Sequence, residues 1–295
     1  KLVNTNKTSS ENYRFFPMSG IFLETPIKHN EKNILITPKL SLIVNNSQNN
    51  KNEISNEDST NQTINITSES QLNRFSGTDK LDNSKRILYG LNLTTDHFSS
   101  SFSQNYEFDA NSDYNQEIGN SRHLSDALLN TDINFKKTIV THKLRYSPHL
   151  EKIRSQSISL ENNNKIGNFK LNYFDEKKES NNILTSGKEN LSLDYESNKI
   201  KEFSKITFKS KYDLIDDKGD EYILGYQYFD ECFGINIDFK RSFYEDDKLK
   251  PQDSLTLMFS FKNLGAYKSS NLAVSEEGKQ DINWENTDIS NEKFQ

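Results

Sequence analysis

Polarity that alternates at every second residue constrains this chain more than any other feature. The clearest run lies near the end, where Leu255, Leu257, Phe259 and Phe261 oppose Ser254, Thr256, Ser260 and Lys262. Before it, Phe233, Ile235, Ile237 and Phe239 oppose Gly234, Asn236, Asp238 and Lys240. Ile206, Phe208 and Tyr212 likewise alternate with Lys205, Thr207, Lys209 and Lys211. Successive side chains of an extended strand point to opposite faces, so each run has one apolar and one polar face. The period is weaker in 33–44 and in 13–28, where Pro17 and Pro26 suit an edge or a bend better than a paired central strand. Together the runs predict an all-β chain of about thirteen strands.

A soluble sandwich gives the same alternation, and three further features favour a membrane barrel. The runs exceed the ~5–6 residues usual in soluble sheets. Aromatics recur toward their ends, as Phe108, Tyr146, Tyr173, Tyr195 and Tyr228 do, in the manner of interfacial girdles. The connections also alternate in length. With the C-terminal tail taken as periplasmic, 245–251, 216–219, 175–187, 148–151, 110–126 and the long loop 47–83 fall outside. The turns at 230–231, 198–201, 162–164 and 96–99 fall inside, the asymmetry of outer-membrane barrels. A mean hydropathy of -0.87 hints at disorder, but 13 Tyr and 19 Phe spread through alternating runs argue against it. No apolar stretch approaches the ~20 residues of a spanning helix, whereas a barrel strand needs only ~10 alternating ones. The net charge of -6, with both signs interspersed, leaves no nucleic-acid footprint. The expected organisation is an N-terminal segment of a longer, truncated chain at 1–12, a barrel portion at 13–264 and a disordered periplasmic tail at 265–295.

The long polar loop carries two compact clusters: Asn56-Glu57-Asp58-Ser59, then Asn73-Arg74-Phe75-Ser76-Gly77-Thr78-Asp79. One aromatic, one guanidinium fork and a turn-forming glycine beside acids suit a loop that folds back and docks. Arg74, Asp79 and Asp82 are candidates to pair within it, and Glu57 or Asp58 to accept backbone N–H groups. The alternative is a divalent cation held by these carboxylates against lipid phosphates, which requires convergent geometry. Cys232 is the single cysteine, so in an oxidising envelope it either finds a partner outside this chain or stays a reduced bystander at a strand end. No G-x-S-x-G, H-E-x-x-H or phosphate-cradling glycine loop occurs, and Asp126 near His123 is a local coincidence. No enzyme, cofactor or metal site is expected.

The clusters resemble a signature of the lipopolysaccharide-assembly outer-membrane protein family (lipopolysaccharide transport protein D), in which N-E-D-S is followed by N-R-F-S-G-x-D-[RK]. The Glu231-Cys232-Phe233 turn, the last strand ending Lys262-Asn263-Leu264-Gly265, and Arg122-His123-Leu124-Ser125-Asp126 extend the resemblance. It implies the C-terminal part of a large antiparallel transmembrane β-barrel in a Gram-negative outer membrane. That barrel would insert lipopolysaccharide into the outer leaflet through a lateral gate, with Leu255, Leu257, Phe259 and Phe261 on the last, gate strand. It further implies a lumen-plugging outer-membrane lipoprotein and a periplasmic lipid-bridge protein as partners. Cys232 would be bonded to the family's N-terminal periplasmic domain, although Glu231 stands where a second cysteine can occur. The alternatives are a general porin-like barrel and a secreted β-rich surface or adhesion protein.

Overall fold

The computed structural model describes residues 16–29, 31–45, 58–59, 65–111, 114, 122–200, 203–243, 252–262, 265–269, 272–273 and 284–287. Among these residues the chain is an all-β antiparallel sheet with almost no helix, and no ladder closes the sheet on itself. No helix is long and apolar enough to cross a membrane. The chain forms two compact units.

The first unit comprises Lys1–Thr131, Leu144–Arg154 and Glu179–Leu184. It holds β1 (Met18–Glu24), β2 (Ile27–His29), β3 (Ile34–Asn45), α1 (Ile66–Glu69), β4 (Lys85–Thr94) and β5 (Phe98–Glu107). Strands β1 and β2 both pair antiparallel with β3, which pairs with β4, and β4 with β5. The break between β1 and β2 follows from proline. Pro26 has no N–H to give the ladder, and the pairing crosses the gap through the Thr25 N–H, which donates to the Pro38 carbonyl at 3.2 Å.

Burial in this unit is inverted relative to a soluble protein. Along β3 the exposed Leu40, Leu42 and Val44 alternate with the buried Ser41, Ile43 and Asn45. The registers carry the same face across β4 and β5, where Arg86 lies opposite Ile43 and Glu107 opposite Arg86. The other face presents Leu42, Ile87 and Tyr106 in one row.

Strands β6 (Ala127–Phe135), β7 (Thr138–Ser147), β8 (Lys152–Asn163), β9 (Gly167–Ser180) and β10 (Ile183–Ser197) run through both units. The second unit continues with β11 (Ser204–Asp213), β12 (Lys218–Phe229), β13 (Phe233–Ser242) and β14 (Gln252–Phe261). Then follow β15 (Gly265–Ser269), β16 (Leu272–Ala273) and β17 (Trp284–Thr287). Residues directly opposite in an antiparallel pair share a face. Tyr195 lies opposite Phe208, Phe208 opposite Leu224, Leu224 opposite Phe239 and Phe239 opposite Leu255. One apolar row therefore crosses five strands. The next row carries no apolar side chain: Glu196, Thr207, Gly225, Asp238 and Thr256.

The thirteen expected runs match β1 with β2 taken as one broken strand, and β3 to β14. Three differences stand out. The connection expected at 175–187 is instead a hairpin, with β9 and β10 extended to a two-residue turn at Asn181 and Asn182, whose φ values are 51° and 62°. Two left-handed residues match the twist of the flanking strands, and asparagine tolerates them. The tail expected to be disordered from 265 includes the strands β15, β16 and β17. Main-chain pairing needs no apolar side chains, so strands can form where these are scarce. Consequently β14, expected to be the last strand, pairs with β13 on one edge and with β15 and β16 on the other.

Candidate functional site

The loop between β3 and β4 is built from a short helix and two docked clusters. Asn65 caps α1, accepting the Thr67 and Ser68 N–H groups at 2.9 Å each, while the Ser68 hydroxyl accepts the Asn65 N–H at 3.0 Å. This box fixes a four-residue helix too short to persist alone, and it turns Glu69 into the interior.

The two clusters found in the sequence meet. The Asp58 carboxylate accepts the Thr78 and Asp79 N–H groups at 3.0 Å, together with the Thr78 and Ser59 hydroxyls. In return the Asp58 N–H donates to the Asp79 carboxylate at 2.9 Å, and the Lys80 N–H donates to the Ser59 hydroxyl. The Asp79 and Thr78 N–H groups, with the Ser59 hydroxyl, hold the Asp58 carboxyl far below the usual carboxylate range. Gly77 makes the approach possible. Its φ is +78°, and a Cβ there would lie 2.5 Å from the Asp58 carbonyl and carboxylate oxygens. Ser76 lies in the same bend, and Asn56 and Glu57 lie outside the described residues.

Beneath this clasp lies a buried ion network. Arg74, 2% exposed, donates from Nε to Asp82 at 2.6 Å, donates from Nη2 to Glu107, and stands 3.6 Å from Glu69. Arg86 donates to Asp82 at 3.0 Å, to the Ser84 hydroxyl at 2.8 Å and to the Gln71 carbonyl. Burial opposes a charged Arg74, but Asp82, Glu69 and Glu107 outweigh it and push the guanidinium pKa well up. Phe75 stacks on Tyr114 with ring centroids 4.8 Å apart, and the Arg74 guanidinium lies over the same ring. Asn111 donates to Asp82 at 3.1 Å. The loop after β5 is thus pinned to the loop before β4. Sequence reading identified Arg74 with Asp82 but placed Asp79 with them, whereas Asp79 is taken up by the clasp. It missed Glu69, Arg86, Glu107 and Tyr114. The one available signal was Arg86, a charge at a polar-face position directly after the loop.

A second buried network joins strand ends of the first unit. Asp126 accepts from Arg145 at 2.7 Å and forms an ion pair with Arg154 at 2.7 Å, and Glu179 accepts from Arg122 at 2.8 Å and Arg154 at 2.5 Å. Asp126 is therefore engaged by arginines, while the His123 Nδ1 lies 3.0 Å from the Glu107 carbonyl. Among the described residues, no group of three His, Cys, Asp or Glu side chains is arranged to hold a metal ion.

Cys232 is exposed in the turn between β12 and β13. Its N–H and that of Phe233 donate to the Asp230 carboxylate at 2.9 and 2.8 Å, which lowers the Asp230 pKa. Leu255, Leu257 and Phe259 of β14 lie opposite Phe239, Ile237 and Ile235 on the apolar face, and Phe261 opposite Phe233.

No curated protein matches the chain. The family model described as LPS transport system D (LptD) matches residues 5–216, which include both loop clusters and the strands that carry the two buried networks. On that match the chain belongs to the LptD family of lipopolysaccharide transport components of the outer membrane.

Proposed function

We propose that this chain forms part of the wall of an outer-membrane barrel that inserts lipopolysaccharide into the outer leaflet through a lateral opening. Family membership gives the coarser role, lipopolysaccharide transport at the outer membrane. The observation that carries the finer reading is the division of the sheet into an exposed apolar face and a polar face. Leu224, Tyr226, Phe239 and Leu171 are exposed on one face, while Ser103, Asn105, Glu107, Ser254 and Ser260 are buried polar groups. Such apolar exposure suits hydrocarbon on one side, and the polar rows suit water on the other. A spanning sheet must have every edge paired, so further strands of the same protein would complete the wall. The β3–β4 loop is a structural plug packed on the polar face rather than a chemical centre, and no bond is made or broken. In this reading Cys232 bonds to a cysteine outside this chain. A lumen-plugging lipoprotein and a periplasmic lipid-bridge protein complete the route.

Depletion of the full-length protein tests this. Newly made lipopolysaccharide should cease to appear at the cell surface while small-solute uptake persists. Continued surface delivery with loss of solute uptake would favour a porin-like barrel and contradict the proposal.

A further inference from the structure

The second unit carries a cavity of about 450 Å³ near the tight turns that follow β6, β8 and β10, lined by charged and amide side chains together with Ile139, Phe169 and Tyr195. Six of its lining side chains are charged, three basic (Lys137, Lys170, Lys209) and three acidic (Glu161, Asp194, Glu196). Lys170 pairs with Glu161 at 2.5 Å, and Glu196 with Lys205 at 2.5 Å. Asp194 and Lys209 stand opposite each other in the β10–β11 ladder, yet neither has a side-chain partner among the described residues. Among the described residues, the side-chain amides of Asn163 and Asn168, which also line the cavity, have no hydrogen-bond partner.

Two physical points select a ligand class. Equal numbers of opposite charges exert no net pull on an anion, so a phosphate gains little here. Free donors and acceptors instead interleave across neighbouring strands ~4.8 Å apart, a spacing close to the width of a sugar ring. The volume admits a short oligosaccharide.

We propose that this cavity is a saccharide-binding subsite that reads neutral hydroxyl groups, with Asp194 and Lys209 as its polar anchors. The inference rests on the reading that the polar face of the sheet lines an aqueous route for a glycolipid.

The test is saturation-transfer NMR on the full-length protein in detergent, with maltotetraose as probe and inorganic phosphate and glucosamine 1-phosphate as competitors. Saccharide signal should appear, survive excess phosphate and fall in both Asp194→Ala and Lys209→Gln, with affinity about tenfold weaker in each. Asp194→Asn, which keeps shape and an acceptor oxygen, should retain most of the signal, and heat-modifiable mobility confirms that each variant is folded. An absent saccharide signal, a signal unchanged in Asp194→Ala, or displacement by inorganic phosphate would each overturn the proposal. Surface delivery of lipopolysaccharide in the same strains separates the two claims. For the unsubstituted protein, normal delivery with no saccharide signal sinks the subsite alone, and a saccharide signal with no delivery role sinks the transport reading.

Discussion

Arg74 is the residue with the most to lose. Its guanidinium serves Asp82, Glu107 and Glu69 in a place water does not reach. Arg74→Met should cost ~3–5 kcal/mol because carboxylates are left buried without their cation. The check is the temperature at which heat-modifiable mobility is lost, and an unchanged midpoint would contradict the network's role. Asp58 makes a different prediction. Its folded pKa is depressed, so its contribution is present above the ordinary carboxylate range and is lost only as pH falls through the lowered value. The clasp should therefore hold from neutral pH to about pH 4. Hydrogen-exchange protection of the Thr78 and Asp79 N–H groups should be equal at pH 7 and pH 5, and lost at both in Asp58→Ala. The clasp was legible in the sequence because its glycine, acids and hydroxyls form two compact clusters. Glu107 was not legible, since it reaches Arg74 across 33 positions and looks like any polar strand residue.

At the scale of the strand, facing decides cost. Ile237 lies opposite Leu257 on the apolar face, and Asp238 lies opposite Thr256 on the polar one. Ile237→Lys should destabilise the assembled barrel by ~2–4 kcal/mol near the membrane midplane, while Asp238→Asn should be nearly neutral. Equal losses of folded protein for the two variants would reverse the facing. Strand positions from β3 to β14 were readable because burying or solvating one whole face leaves a period-two trace. The upper parts of β9 and β10 left no such trace. Asp175, Glu176, Lys177, Lys178 and Glu179 are polar on both faces, so no period marks that hairpin, which the main-chain ladder, the Asn181–Asn182 turn and the Glu179 ion pairs hold. The same holds for β15, paired to β14 through residues of mixed polarity.

For the whole molecule, the family was legible from one loop and one turn, while the partners were not, because a single chain carries no imprint of the other half of a disulfide. Cys232 is exposed at its turn, so in the full-length protein Cys232→Ser should change mobility on non-reducing gels. Identical mobility would remove the bond from the account. The central claim is that one sheet separates hydrocarbon from water. Single cysteines placed at consecutive positions of β11 and β13 in the full-length protein lacking Cys232, embedded in outer membranes, test it most directly with a membrane-impermeant maleimide. Thr207→Cys, Lys209→Cys, Asn236→Cys and Asp238→Cys should label, while Ile206→Cys, Phe208→Cys, Ile235→Cys and Ile237→Cys should not. Labelling of both sets to the same extent would contradict the two-solvent wall.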